Sequence, residues 1–478
     1  MIQMRRGWFH LASGAGLGRI FGFLSNLLLS RWLGPVDLGL FNLVTTTVQT
    51  TDTLVRFGGD YALNFELGAQ PESIHSEHGA LLARAFSQLC SITTALLCIS
   101  IALWVWFGQG LFPASIASTQ RSSLTLLLLL MLLCEGCSAS AWEILLVAHR
   151  TNLLALRHGL FFPLRLLLAS CGALFDGVSG AMCGWVIVSV FQCFWLKSVL
   201  GDNWTPLRTW PPLVVGLRKL LGRGLPFYAS NLLASLIFFP LLIKLAADSG
   251  LAQVGYLRVG QILQQLFAFL PATFVPVLFL RLRAESDFGR QVCLLEKPLR
   301  IIWLLLLEVL LLYCALDNIV IQSLFGASFL SALLPTRLLL LTSLFESLCQ
   351  LVVQPLLAAG LTRLYGFWQN GAAILSAILG WLWIPDAGLS AYLLVRLLYV
   401  IIPFIGFGYP VLKEMYEAKK NLSLALVSGA VLILLILQSL NITELVLTPA
   451  FSILAFLLIA LLHRQDHFSL HKTLMSRN

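Results

Sequence analysis

Apolar segments long enough to cross a bilayer recur along the whole chain, and this feature constrains the fold more than any other. A membrane-spanning helix needs about 20 consecutive apolar residues because the hydrocarbon core is about 30 Å thick. Such segments lie near 9–30, 37–57, 80–107, 122–148, 152–174, 178–199, 225–247, 251–280, 298–321, 333–359, 364–384, 388–412, 422–440 and 443–462. With 58% hydrophobic and 11% charged residues, the 478-residue chain leaves little room for a soluble domain. The sequence therefore predicts an all-α polytopic membrane protein with about 14 transmembrane helices.

Lysine and arginine residues collect in alternate connections between these predicted spans. If Arg5 and Arg6 are cytoplasmic, the connections on that side hold most of the basic residues, among them Arg150, Arg218 and Lys219. The connections on the other side are short and mostly acidic. By the positive-inside rule, we expect both termini to lie in the cytoplasm.

A basic connection separates the first six predicted spans from the rest. It contains three prolines and then the amphipathic stretch LVVGLRKLLGRG, which we expect to lie on the inner leaflet. The predicted domains are an N-terminal six-helix lobe at 1–200, this linker at 201–224, a C-terminal six-helix lobe at 225–412, and two further helices with a cytoplasmic tail at 413–478.

One face of the second predicted span is polar, although the span is otherwise apolar. Its polar residues follow one another at steps of three or four, which places them on one side of a helix. They are Asn42, Thr45, Gln49, Asp52, Arg56 and Asp60. An ionisable group at membrane depth costs at least a few kcal/mol, so such groups face either a watery cavity or a partner helix. The first span carries Arg19 near its middle, beside glycines at four-residue spacing that favour close helix packing.

The polar stripe of the second span recurs in the eighth. Aligning Gly39 with Gly255 places Asn42 over Arg258, Thr45 over Gln261, and Gln49 over Gln265. Repeated six-helix halves whose polar faces meet are how many transporters build an alternating-access cavity. The alignment therefore predicts two pseudo-symmetric lobes, each contributing one polar stripe.

Charged residues in the fourth and fifth predicted spans match in depth across a tight turn. Glu143 and Arg157 lie equally far from the turn, and the same is true of Glu135 and Arg165. Two ion pairs are therefore predicted, which either fix the register of the helices or exchange partners as a cavity opens. Together with Asp52, these four residues are the candidates for ion coupling or gating. Four charges in later spans are assigned to helix contacts: Glu308, Arg337, Glu346 and Arg396.

Motifs of soluble catalysis and of metal binding are missing from the sequence. No Walker loop, HExxH or GxSxG motif occurs, and the one CxxC pair, Cys134 and Cys137, lies within a lipid-length segment without a second pair nearby. We therefore expect no enzymatic activity, no metal and no cofactor. The net charge of +9 follows the alternation of the connections, so no nucleic-acid partner is expected.

Two stretches in the first two predicted spans resemble the sequence of a known family. GRIFGF at 18–23 and SRWLGPVDLGLF at 30–41 resemble the opening of polysaccharide exporters of the multidrug/oligosaccharidyl-lipid/polysaccharide (MOP) superfamily, the lipid-linked oligosaccharide flippases. The resemblance implies a flippase- and MATE-like fold, in which two six-helix bundles rock around a central cavity. The implied cargo is an undecaprenyl-diphosphate-linked oligosaccharide, and the implied location is the bacterial cytoplasmic (inner) membrane.

The resemblance also implies roles for individual residues. By position, Arg19 matches the arginine of the family's first-helix motif, and Arg56 and Arg258 match cationic positions of the second and eighth helices. Arginine suits a diphosphate because it stays charged and donates bidentate hydrogen bonds. The polar residues that would then bond sugar hydroxyls are Asn42, Thr45, Gln49, Gln261 and Gln265. The implied partners are the lipid-linked oligosaccharide and membrane lipid, with a coupling ion (H⁺ or Na⁺) and a glycan polymerase or other assembly protein as further candidates.

One departure from the superfamily pattern bears on the cargo. Flippases of the peptidoglycan precursor carry an Arg-Asp pair where this chain has Ser25 and Asn26. The departure favours an O-antigen, capsule or exopolysaccharide repeat unit over lipid II. Two alternatives stay open. One is a cation-coupled multidrug antiporter of the same superfamily, in which acidic residues would line the cavity. The other is a membrane glycan polymerase or ligase, which would carry a sizeable outer loop.

Overall fold

Helices account for every regular element in the described part of the chain. The computed structural model describes residues 2–67, 76–106, 118–148, 150–201, 204, 232–268, 288–359 and 361–417, with isolated positions between 271 and 287. For some of these residues, including 2–17 and Arg19, only the backbone is described. The last two predicted spans and most of the predicted 201–224 linker lie outside the described residues, and the predicted domain boundaries stay predictions.

The helices vary in length from a single turn to more than fifty residues. In chain order they are α1 Ile2–Arg56, α2 Gly59–Leu67, α3 Glu77–Trp106, α4 Ser118–Val147, α5 Thr151–Leu156, a π-helical turn Arg157–Phe161, α6 Phe162–Leu200, α7 Leu232–Ser249, α8 Leu251–Phe267, α9 Phe288–Leu324, a 3₁₀ turn Ala327–Ala332, α10 Leu333–Ala358 and α11 Thr362–Glu417.

Eight helical segments in the described residues are long and apolar enough to cross a membrane. Three of the eight each contain two predicted spans, joined where the backbone leaves the helical region at Gly34, Gly177 and Gly388. These glycines have φ values of 69°, 53° and 54°, which a residue without a Cβ adopts at no steric cost. The eight segments therefore hold eleven of the predicted spans, and α8 begins a twelfth.

Packing divides the chain into two compact units, Met1–Gly255 and Tyr256–Asn478. In the first unit α1 lies at the centre and packs against α3, α4, α5 and α6. Large aromatic side chains fill the space between α4 and α6, where the Trp142 and Trp195 rings lie 6.1 Å apart and the Phe161 and Trp195 rings 5.1 Å apart. Burial of such rings contributes to the apolar core of the first unit.

The two halves of α6 approach each other through glycines. A Cβ atom added to Gly172 would overlap the carbonyl oxygen of Gly180, and the reverse also holds. A Cβ on Gly184 would overlap the carbonyl oxygen of Leu168. Small residues at such crossings let two membrane helices pack backbone to backbone.

The second unit is built on the packing of α10 against α9 and α11. Gly260 of α8 lies against α10, since a Cβ there would come within 3.2 Å of the Thr336 Cα. The 3₁₀ turn after α9 brings Phe325 and Phe329 together, with Tyr256 edge-on to Phe329 at 6.4 Å between ring centroids. These contacts bury the end of α9 beside the start of α8.

A reciprocal contact joins the start of α8 to the second half of α1. A Cβ added to Gly39 would overlap the carbonyl oxygen of Leu251, and a Cβ added to Gly255 would overlap that of Pro35. The alignment made from the sequence relates Gly39 to Gly255 and, with the same offset, Pro35 to Leu251. The contact is therefore isologous, because each segment gives the same two positions to the other.

Candidate functional site

The polar stripe of α1 changes from buried to open along its length. At the end next to Gly34, here called the turn end, Asn42 is 0% exposed and Thr45 2%. Further along, Gln49 is exposed, and Asp52 and Arg56 are half-buried. The stripe is therefore shut at the turn end and accessible at the opposite end, here called the far end.

The predicted counterpart in α8 shows the same gradient. Next to Gly250, which is the turn end of this helix, Arg258 is buried at 9% exposure. Gln261 is half-buried and Gln265 is exposed. The three aligned pairs of residues thus grow in exposure in the same direction on both helices.

Arg56 ends α1 and forms a half-buried charged cluster with two carboxylates. Its Nη2 lies 2.9 Å from Asp52 Oδ2, and its Nε donates to the same oxygen at 3.2 Å. Its Nη1 donates to Glu143 Oε1 on α4 at 2.5 Å. The backbone turns at once after Arg56, with positive φ at Phe57 and Gly58, so α1 ends where this cluster begins.

The structure gives Glu143 a partner that the sequence did not predict. Glu143 pairs with Arg56, whereas the guanidinium of Arg157 lies over the Trp142 ring, 5.4 Å from its centroid. Counting residues from the turn relates α4 only to the helix that follows it, whereas Arg56 belongs to α1, which also packs against α4. The sequence also gave no way to place α1 beside α4.

The predicted pair of Glu135 and Arg165 is confirmed, at 2.7 Å between Glu135 Oε1 and Arg165 Nη2. The same Nη2 donates to Gln192 Oε1 at 2.8 Å, and Ser189 Oγ donates to Glu135 Oε1 at 2.7 Å. The guanidinium also lies over the Trp185 ring, 5.1 Å from the centroid. The neutral partners of this pair, on the second half of α6, were not predicted.

The first half of α1 is described in part. The side chain of Arg19 lies outside the described residues, so its predicted role stays a prediction. Ser25 and Asn26 are buried, and Asn26 Nδ2 donates to the carbonyl oxygen of Gly22 at 2.7 Å. Ser170 on α6 donates to the carbonyl oxygen of Ser25 at 3.3 Å, so this segment is a packing face towards α6.

In the second unit an ion pair joins α9 to α10. Arg337 Nε donates to Asp317 Oδ2 at 2.5 Å, and Asp317 is 5% exposed. Arg337 was assigned from the sequence to a helix contact, without a named partner. The two residues lie equally far from Ala327, so the depth rule that found the pair of Glu135 and Arg165 identifies this pair as well. A further polar contact is that of Gln264 Nε2 with Glu346 Oε2 at 3.3 Å.

Among the residues described, no group of three or more His, Cys, Asp or Glu side chains is placed to hold a metal ion. The chemistry of the described clusters is that of arginine with oxygen anions. An arginine held by carboxylates has its donors set in the geometry that phosphate oxygens also accept. Where a carboxylate partner is half-exposed, as Asp52 is, another anionic group can take its place on the arginine.

The fold is that of solved membrane flippases and transporters. The structure of the lipid II flippase MurJ in an inward closed conformation has a TM-score of 0.72 at 14% identity and covers 96% of this chain and 99% of its own. An inward-facing multidrug resistance MATE family transporter of the MOP superfamily has a TM-score of 0.63 at 15% identity, over 84% of this chain and 96% of its own. A MOP superfamily transporter from Pyrococcus furiosus, described as having a binding pocket of reverse polarity, has a TM-score of 0.55 at 16% identity, over 87% of this chain and 96% of its own.

The sequence itself carries the pattern of a protein family over more than half of its length. No curated protein sequence matches the chain. The family pattern described as "Polysaccharide biosynthesis protein" matches residues 4–279, which include α1, α8 and all the first-unit clusters described above. The chain therefore belongs to the polysaccharide biosynthesis protein family and has the membrane-spanning fold of the MOP superfamily flippase and transporters.

Proposed function

We propose that the protein is a flippase that moves an undecaprenyl-diphosphate-linked oligosaccharide across the bacterial cytoplasmic membrane by alternating access. The cargo would be a repeat unit of O-antigen, capsule or exopolysaccharide, and no bond would be made or broken. Membership of the polysaccharide biosynthesis protein family and the fold shared with a lipid II flippase support this class of function.

The observation that carries the proposal is the environment of Arg56. This arginine is the last residue of a largely apolar helix and is bound to two carboxylates, and one of them, Asp52, is 32% exposed. A diphosphate presents the same kind of oxygen acceptors with more charge, so it can replace a carboxylate on the guanidinium. The free-energy cost of moving such an anion through hydrocarbon without a counter-charge is prohibitive, and an arginine fixed in the protein lowers that cost.

The main alternative, a cation-coupled multidrug antiporter, is less well supported. Such a pump needs a carboxylate that is able to bind a cation. In the described part of the first unit, the three intramembrane carboxylates Asp52, Glu135 and Glu143 are each within 2.9 Å of an arginine nitrogen. Paired in this way, they neutralise the arginines and offer little net negative charge to a cationic drug.

The environment of Ser25 and Asn26 supports a cargo other than lipid II. The Arg-Asp pair expected of a peptidoglycan-precursor flippase is replaced by two buried neutral residues, and Asn26 is hydrogen-bonded within its own helix. A neutral packing face cannot provide the charged contacts that the Arg-Asp pair would offer. This favours a surface-polysaccharide repeat unit.

The test is a lipid analysis of a strain that lacks the protein. We expect undecaprenyl-diphosphate-linked repeat units to accumulate on the inner leaflet and surface glycan to be lost. Wild-type protein should restore the glycan, and Arg258→Ala should not, although it reaches the membrane. Arg31→Ala is the matched control, because Arg31 is an exposed arginine at the turn end of α1 and should restore export.

An unchanged lipid-linked pool, together with altered efflux of cationic dyes, would instead identify an antiporter. Full export by an Arg258→Ala protein at wild-type level would remove Arg258 from the mechanism.

A further inference from the structure

Two cysteine side chains meet where α4 packs against the second half of α6. The Cys193 thiol donates to the carbonyl oxygen of Cys134, with 3.3 Å between the sulfur and the oxygen. The two thiols also lie within hydrogen-bonding distance of each other. Both cysteines are free, and the proposed function gives neither of them a role.

Polar contacts join the same two helices on both sides of the thiols. Ser189 Oγ donates to Glu135 Oε1 at 2.7 Å, and Gln192 Nε2 donates to Ser138 Oγ at 3.2 Å. All four residues lie within about one helical turn of the cysteine on their own helix. These contacts hold the two sulfur atoms next to each other, which is the placement that a disulfide requires. A bond between them therefore needs little movement of the backbone.

The cysteine pair can be reached from one side. Cys134 is 9% exposed, Cys193 is half-buried, and the residue after it, Phe194, is 73% exposed. One turn further along, the exposed Lys197 lies near the end of α6, on the cytoplasmic side in the predicted topology. Because the cytoplasm keeps thiols reduced, we expect two free thiols in unstressed cells.

We propose that Cys134 and Cys193 form a peroxide-reactive dithiol, which closes to a disulfide and joins α4 covalently to α6. The reagent is hydrogen peroxide, which is small and uncharged and so can enter a site from which larger or charged oxidants are excluded. The disulfide would hold by a covalent bond the helix packing that Glu135 and Arg165 hold by charge. The inference depends on contacts within the first unit and on no property of the cargo.

The reaction consumes one molecule of hydrogen peroxide and releases two of water. The more accessible sulfur, that of Cys193, attacks one peroxide oxygen, the O–O bond breaks, and the thiol proton leaves with the other oxygen as water. The Cys134 sulfur then attacks the resulting sulfenic acid, so that the S–S bond forms and the S–O bond breaks. The second water carries away the Cys134 proton. The two thiols lose two electrons, and the peroxide gains both.

The test is to map disulfides in the full chain after native membranes are treated with hydrogen peroxide. Free thiols are blocked with N-ethylmaleimide, the protein is digested, and cross-linked peptides are identified by mass spectrometry. We expect the link between Cys134 and Cys193 to be several-fold more abundant than any other, and a reductant should remove it. Cys193→Ser should abolish it, whereas Cys171→Ser, the matched control at an exposed position of the same helix, should leave its yield unchanged.

Thermal unfolding in detergent tests the covalent link between the helices. The two cysteines are 59 residues apart, and a bond that closes so long a loop restricts the unfolded chain. Peroxide should therefore raise the melting temperature of the unaltered chain by several degrees. The rise should persist in Cys171→Ser, disappear in Cys193→Ser, and be reversed by a reductant.

Two free thiols after the treatment would overturn the proposal, and so would a main cross-link between Cys134 and Cys137 on α4. A link between Cys134 and Cys193 that leaves the melting temperature unchanged would contradict its role in holding α4 against α6. The mapping uses the unaltered chain, so it decides even if Cys193→Ser reaches the membrane poorly. Loss of the flippase function in the lipid analysis would leave these results as they are, since none of them measures export.

Discussion

Two arginine clusters lie against the same helix, α4, and they differ in how completely the arginine is enclosed. Glu143 binds Arg56 of α1, and Glu135 binds Arg165 of α6. The two glutamates are eight residues apart, which places them on roughly the same face of α4 and about 12 Å apart along its axis. Both arginines belong to apolar helices, both form ion pairs, and their side chains are similarly exposed, at 14% for Arg56 and 10% for Arg165. These features therefore do not show which arginine binds a ligand and which one fixes helix packing.

The difference lies in the remaining partners. Arg165 has a charged partner, a neutral amide partner in Gln192 and the Trp185 ring beneath it, and Glu135 accepts a further hydrogen bond. Arg56 has carboxylates as its partners, and the Asp52 side chain is 32% exposed to solvent. An enclosed arginine with neutral and aromatic neighbours fixes helix packing. An arginine bound to a half-exposed carboxylate can exchange that partner for an anionic ligand.

The largest expected effect is on stability at the enclosed cluster. Arg165→Met leaves the half-buried Glu135 without its counter-charge and should lower the free energy of unfolding by up to about 3 kcal/mol, the lower end of the range for a buried pair. Adding Glu135→Leu should recover most of that loss and with it the transport activity. Thermal unfolding in detergent and surface glycan levels are the measurements. A stable double variant that exports no glycan would contradict the purely structural role of Arg165, since this residue would then be needed for transport.

The second effect is on transport at the open cluster. Arg56→Ala should lower export on the order of 10- to 100-fold, because a hydrogen bond to a charged group contributes roughly 1.5–3 kcal/mol. Arg56→Ala with Glu143→Gln removes one of the uncompensated carboxylates and should restore protein level without restoring export. Recovery of export in the double variant would make Arg56 a structural residue like Arg165.

The smallest effect is expected at Arg157. It was predicted from the sequence to pair with Glu143, and in the structure its guanidinium lies over the Trp142 ring. Arg157→Gln removes the cation above Trp142, a contact that contributes about 0.5–2 kcal/mol. The melting temperature should fall slightly, and export should stay near the wild-type level. A loss of export as large as that of Arg56→Ala would return Arg157 to the gating role proposed from the sequence.

Part of the candidate site was predictable because it depends on position along the chain. The pair of Glu135 and Arg165 follows from equal depth on two helices joined by a tight turn, and Asp317 with Arg337 obeys the same rule. The alignment of Gly39 with Gly255 could also be made from the sequence, because each glycine precedes a stripe of polar residues. The structure adds that these two glycines touch, which no pattern in one sequence states.

The pairing of Glu143 with Arg56 was not predictable from the sequence. The helix that supplies Arg56 is distant in sequence, so its neighbours depend on how α1 packs. Sequence periodicity fixes which residues share a helix face, but not which helix that face meets.

The pattern of apolar residues along the sequence was enough to identify a helical membrane protein with many spans, and to place most of its turns. Apolar length decides this, because a backbone in lipid must satisfy its own hydrogen bonds and a helix does so locally. The pairing of each arginine with its carboxylates, and the burial of each residue of the polar stripes, depend on the packing of helices far apart in sequence. There a missing Cβ changes the contacts that form.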